Sequence, residues 1–292
     1  MENTFIKENT DGSMIINPFS SKHVVRDSMF VNSLPSSTVN NGNRFSAVFD
    51  CDEVLVNISD KWARKMLAVP ELKKFIPDSM IQTINMGVMN LRIVNFIDRL
   101  LGIEFGSKEY EIFMSLYKDD PTFYDDLPPS PFLNSVKRTI NFYDEIHILT
   151  KMPTDEESHV VDASKQRFLV NHLLPLKKEN PSLKINILFL KANEKKSDAI
   201  LEQKIKFNTF ADDSTENIVD VVSNVTNRSY EVLVPMYGYN YKSLEEIHKI
   251  ENRTAHSFAF MYNFDSPHMN PDLLKNTMFK LFHENEAEPN IS

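Results

Sequence analysis

A short run, Phe45-Ser46-Ala47-Val48-Phe49, ends abruptly in Asp50-Cys51-Asp52, and no other junction constrains the chain as much. Its length and bulky apolar side chains predict a buried strand. In extended backbone, positions i and i+2 face the same way, so Asp50 and Asp52 are expected to crowd one spot. Carboxylates that close repel unless one keeps a proton or a cation lies between them. Such a pair calls for a metal, a proton-transfer role, or both. Taken alone, it suits an acidic turn capping the next helix equally well.

The rest of the chain supplies the context. Further strands are predicted at 145–150, 185–190, 207–211 and 230–234, with helices at 131–143, 156–174, 197–203 and 215–225 interleaved. This alternation gives an α/β fold: a Rossmann-like, mainly parallel sheet with helices on both faces. Apolar residues at three- and four-residue spacing predict helices over 80–86, 91–101 and 109–117, and another starts with Ser59 or Asp60 as N-cap. Prolines at 121, 128, 129 and 131 interrupt that texture. The core is thus assigned to 44–56 and 141–240, with 57–140 an all-helical insertion too long to be a connection. Residues 1–43, rich in Asn, Ser and Thr, read as an irregular arm that Met14-Ile15-Ile16 could anchor. Residues 241–292 read as a helical extension, two amphipathic helices around an apolar segment at 258–262.

Composition removes several classes of function. With 41% hydrophobic and 25% charged residues over 292 positions, the chain can bury a core without disulfides. The single Cys51 cannot pair within the chain, which fits a reducing compartment, and no His partner suggests it as a nucleophile. No run reaches membrane-spanning length and the N-terminus lacks a signal-peptide pattern, so a cytoplasmic protein without a membrane partner is expected. A net charge of −9 argues against gripping a nucleic-acid backbone. A small phosphorylated substrate stays open, because a metal and a few local cations can hold it; so does a homo-oligomer. Six glycines without GxGxxG or GxxxxGK[ST] exclude the dinucleotide and P-loop motifs, and no HExxH or Cys/His cluster supports zinc.

In open α/β sheets, ligands bind beyond the carboxyl ends of strands, where the strand order reverses. Chemistry-bearing residues stand at four such ends: Asp50 and Asp52, Thr150, Lys196, and Asp212 with Asp213. Asp50-Cys51-Asp52-Glu53-Val54-Leu55 resembles motif I of the haloacid dehalogenase superfamily, DxDx[TV][LV], with Glu53 where many members carry Gly. Ile148-Leu149-Thr150 resembles motif II. Lys196 resembles the motif III lysine, with Lys195 beside it as the alternative, and Phe210-Ala211-Asp212-Asp213-Ser214 resembles motif IV. The four stand in the family's order.

The resemblance implies a phosphatase. Asp50 would take the phosphoryl group as an aspartyl-phosphate, and Asp52 would protonate the leaving oxygen and then deprotonate water. Thr150 and Lys196 would hold the transferring oxygens. Mg²⁺ would be held by Asp50, the main-chain carbonyl of Asp52, and Asp212, with Asp213 a further or water-mediated ligand. The insertion at 57–140 resembles the family's helical cap. Its Trp62, Tyr110, Phe113, Tyr117, Phe123 and Tyr124 offer ring faces or plain core, and Arg92, Arg99 and Lys151 are further candidate contacts. Motif I followed by a helix bearing Trp62 resembles the 5′-nucleotidase and deoxyribonucleotidase branch, which suggests a nucleoside monophosphate. The alternatives are a catalytically silent binding or assembly module, and a phosphatase acting on nucleic-acid ends.

Overall fold

A computed structural model describes residues 6–8, 14–16, 45–76, 103–138, 140–155, 159–236, 244–251, 254 and 256–262. The strands that follow the arm are β3 (Phe45–Phe49), β4 (Tyr143–Lys151), β5 (Lys184–Leu190), β6 (Thr209–Ala211), β7 (Glu231–Met236) and β8 (Ser257–Tyr262). They form one sheet in the order β5-β4-β3-β6-β7-β8, and every pairing is parallel. The order runs outward from β3 on one side, then restarts with β6 on the other. The reversal therefore falls between β3 and β6, where an open α/β sheet leaves a crevice at its carboxyl edge.

Alternation along the strands builds two cores. Phe45, Ala47, Phe49, Ile146, Ile148, Ile185, Ile187 and Phe189 bury into one cluster. Val48, Leu149, Leu188, Leu190, Phe210, Val232 and Val234 bury into the other. Neighbours in sequence thus face opposite cores, which is why these strands read as continuous apolar runs. Residues of α1 (Ser59–Leu67), α2 (Pro70–Lys73), α3 (Lys108–Lys118), α4 (Pro131–Arg138) and α5 (Val160–Glu179) join the first cluster. Those of α6 (Lys196–Glu202), α7 (Thr215–Asn224) and α8 (Leu244–Glu251) join the second.

The α/β reading holds, with displaced boundaries. The helix predicted over 131–143 ends at Arg138, and a 3-10 turn at Ile140–Phe142 leads directly into β4. The Asn180 amide fixes that junction by donating to the carbonyls of Ile140 and Tyr143, both at 3.1 Å. Helix α5 runs through Pro175 to Glu179, past the predicted end at 174, because Leu173 and Leu176 on either side of the proline are both core residues. Within the arm read as irregular, β1 (Ile6–Glu8) and β2 (Met14–Ile16) form an antiparallel pair. The apolar segment at 258–262 is strand β8. The helices predicted over 80–86 and 91–101, and the second helix of the extension, lie outside the described residues. Among the described residues, no helix is long and apolar enough to cross a membrane.

Candidate functional site

Backbone pairing brings the acidic strand ends together. The Asp50 amide donates to the Ala211 carbonyl (2.9 Å) and the Asp212 amide to the Leu233 carbonyl (3.3 Å), so the ladder continues one residue past β3 and β6. Asp50 and Asp212 thereby stand side by side at the switch point. Lys196, in the first turn of α6, lies between them, with Nζ 2.7 Å from Asp50 Oδ1 and 2.7 Å from Asp212 Oδ2. Its side chain and that of Asp212 are wholly buried. Lys195 is exposed, which settles the choice between the two lysines on geometry. Asp212 Oδ1 accepts from the Ser214 amide (2.9 Å) and from the Asn217 side chain (3.2 Å).

Burial depresses the Lys196 ammonium, but Asp212 and Asp50 overcome that, and it ends above the ordinary lysine range. Burial raises the Asp212 carboxyl; Lys196 opposes the rise, and the like charge of Asp50 adds to it. Three donors aimed at Asp212 favour the carboxylate form.

One carboxylate oxygen each of Asp50, Asp212 and Asp213 lies within 4.8 Å of the others. Donors on one Mg²⁺ stand about 3 Å (adjacent) or about 4 Å (opposite) apart, so the trio has to draw in by up to about 2 Å to share an ion. Three buried carboxylates form a hard, all-oxygen donor set, which suits Mg²⁺ or a similar divalent cation and not a thiophilic one.

Asp52 behaves differently from the expectation of a shared spot. The strand ends at Phe49, and the next residues coil about the Cys51 carbonyl, which accepts from the amides of Val54, Leu55 and Val56. The i, i+2 rule of extended backbone no longer applies there. Asp52 Oδ2 meets Lys165 Nζ at 2.6 Å, and Oδ1 accepts from the Tyr124 hydroxyl at 2.7 Å. Each of the two aspartates thus has a lysine of its own, and the Asp52 side chain is not in the carboxylate trio. Thr150, near the end of β4, is wholly buried, and its Oγ1 accepts from Lys165 at 3.1 Å.

Glu53 turns the same loop. It has φ +58°, a left-handed conformation that disfavours side chains other than glycine by about 1–2 kcal/mol. What offsets this is a cap: Glu53 Oε1 accepts from the amides of Ile58 (3.0 Å) and Ser59 (2.8 Å) and from the Ser59 hydroxyl (2.7 Å). The N-cap of α1 is Ile58, without a side-chain cap of its own, so Glu53 does the work expected of Ser59 or Asp60. Burial raises the Glu53 carboxyl to about 8, against the lowering effect of the Ser59 hydroxyl. The folded chain then holds a proton that the unfolded chain releases, so this group's contribution is complete below pH 4.5 and lost as pH climbs through about 8. Glu53→Gln keeps the acceptor and removes the titration. Melting temperatures of the metal-free protein should fall across this range in wild type and flatten in the variant. Equal slopes would mean that folded Glu53 is already ionised.

A cavity of about 250 Å³ opens over the site. Asp50, Asp52 and Asp213 line it on the sheet side, and Trp62, Tyr110 and Tyr117 come from the insertion. Thr150 and Lys196 are wholly buried and are not in its lining. Phe113, Phe123 and Tyr124 are packed core; Phe113 stacks on Trp62 with ring centroids 4.3 Å apart. Lys151 lines the cavity, whereas Arg92 and Arg99 lie outside the described residues. Burial and the neighbouring Asp52 push the Cys51 thiol well above its ordinary value, so it is no thiolate nucleophile. His147 is a buried residue of β4.

Neither known family models nor curated proteins match the chain. Two partners of the site escaped sequence reasoning. Lys165 lies on the buried stripe of α5 with Val161, Phe168 and Leu169, and a lysine at a core-facing position was the signal. Tyr124 was visible as an aromatic; its hydroxyl donates to Asp52, and its ring lies under the Lys165 ammonium, 5.5 Å from the centroid.

Proposed function

We propose that the chain is a Mg²⁺-dependent phosphomonoester hydrolase of the haloacid dehalogenase type. One observation carries the reading: Asp50, Asp212 and Asp213 converge within 4.8 Å at the carboxyl edge of the sheet. Strand order reverses there, and a wholly buried Lys196 bridges two of the three. These three side chains would hold Mg²⁺, which would supply the positive charge that offsets carboxylates and phosphoryl oxygens. An Asp50 oxygen attacks phosphorus, the bond to the leaving oxygen breaks, and Asp52 gives that oxygen a proton. Asp52 then takes a proton from the water that attacks the aspartyl-phosphate, which returns Asp50 and frees inorganic phosphate. Lys196 holds the Asp50 carboxylate in place and balances its charge throughout. Thr150, buried behind the cavity wall, accepts from Lys165 and so backs the site without meeting the ester.

The cavity supports a small, ring-bearing substrate. Its 250 Å³ suits a small ester, and the partly buried Tyr110, beside the buried Trp62 and Tyr117, offers apolar surface to a ring. A nucleoside monophosphate fits this description. The test is turnover of a panel of nucleoside monophosphates and sugar phosphates with Mg²⁺ and with chelator. Metal-dependent release of phosphate from at least one nucleotide is expected. Silence over the whole panel would overturn the reading and leave a binding or assembly module.

A further inference from the structure

Asp52 is asked to deliver and recover a proton, and the structure holds it by a group that no other part of the site explains. The Lys165 side chain is 0% exposed, and its ammonium has three N–H bonds, each with an acceptor. They are Asp52 Oδ2 (2.6 Å), Thr150 Oγ1 (3.1 Å) and the Lys151 carbonyl (3.1 Å). A buried ammonium loses several kcal/mol of solvation, which an apolar side chain in the same stripe of α5 would not. Packing therefore does not account for a lysine here.

We propose that Lys165 is a positioning residue that, braced on Thr150, holds Asp52 in register for phosphoryl transfer, a role that rests on the phosphomonoesterase reading above. From the opposite side, the Tyr124 hydroxyl donates to Asp52 Oδ1 at 2.7 Å, and the Tyr117 hydroxyl lies 2.7 Å from that of Tyr124. The Tyr117 hydroxyl also reaches Asp52 Oδ2, at 3.5 Å. Asp52 is thus fixed through both oxygens, by α5 on one side and by the insertion on the other. Its side chain is nevertheless 22% exposed and lines the cavity, so it meets substrate from a locked orientation. Burial would discharge the Lys165 ammonium, but Asp52 outweighs it and holds the group well above the ordinary lysine range. The lysine stays cationic and takes no part as an acid.

Leaving groups of graded acidity test the role in the full-length protein. Dinitrophenolate departs without a proton, whereas an alkoxide such as the 5′-oxygen of a nucleoside needs one. In single-turnover release of the alcohol, Lys165→Met should slow a nucleoside monophosphate by about 10²-fold and 2,4-dinitrophenyl phosphate by less than about tenfold. Lys165→Gln, which keeps two N–H donors, should recover part of the loss. In an Asp52→Asn background whose melting curve shows it folded, Lys165→Met should add no further loss on the nucleotide. Should Lys165→Met fail to fold, judged by its melting curve, Lys165→Gln carries the same leaving-group comparison. Equal losses on both esters, additive with Asp52→Asn, overturn the role and leave a structural ion pair. A wild-type chain silent toward both esters overturns the phosphomonoesterase reading, and this role with it.

Discussion

Asp50→Asn should leave the fold standing and lower phosphomonoester turnover by about 10³-fold or more. An amide is nearly isosteric with the carboxylate but has no nucleophilic oxygen. The substitution removes one of the two carboxylates that meet Lys196, and Asp212 remains at 2.7 Å, so the buried ammonium keeps an anion. It also relieves the like-charge contribution of Asp50 that raises the Asp212 carboxyl. The metal-free melting temperature should therefore match that of wild type or rise slightly. Stabilisation by added Mg²⁺ should shrink, because one of three ligands is gone. Asp52→Asn is a poorer probe, since it leaves the wholly buried Lys165 without an anion and unsettles the fold as well as the chemistry. Undiminished turnover in Asp50→Asn would place the nucleophile elsewhere. A collapse in melting temperature would show that Asp50 is chiefly structural.

The parallel sheet was legible because strands covered on both faces are written as uninterrupted apolar runs. Val48 and Phe49 serve opposite cores. Asp50, Asp212 and Asp213 were legible for a related reason: charged residues that follow such runs stand just beyond the carboxyl edge. What failed was the extension of strand geometry to Asp52. The loop turns about the Cys51 carbonyl with Glu53 at positive φ, and nothing in a glutamate announces a left-handed residue. Asp52 is consequently delivered to α5 and the insertion, not to the carboxylate trio. Lys165 was present in the pattern as a charge on an apolar stripe. Its partner, 113 residues earlier in the chain, is a matter of tertiary placement that periodicity does not encode.

Lys196→Met separates a cation site from an ordinary buried salt bridge. Without the ammonium, Asp212, which is 0% exposed, keeps only the Ser214 amide and the Asn217 side chain as donors. Breaking one side of a buried pair typically costs about 3–5 kcal/mol. In a chain of this size that is a fall of roughly 10 °C in melting temperature. Lys196 is the main influence that lowers the Asp212 carboxyl against burial, so its removal raises that group further. A carboxyl raised in the folded state favours folding at low pH and loses that contribution as pH rises through its folded value. The deficit should therefore be larger at about pH 8 than at about pH 5, where the unfolded carboxyl begins to take up its proton. On the proposed reading, Mg²⁺ held by Asp50, Asp212 and Asp213 would supply the missing positive charge to the same oxygens. Millimolar Mg²⁺ should accordingly stabilise Lys196→Met by several degrees more than it stabilises wild type. A deficit that ignores both pH and Mg²⁺ would mean that the lysine only fills space, and that these three carboxylates do not gather around a shared ion.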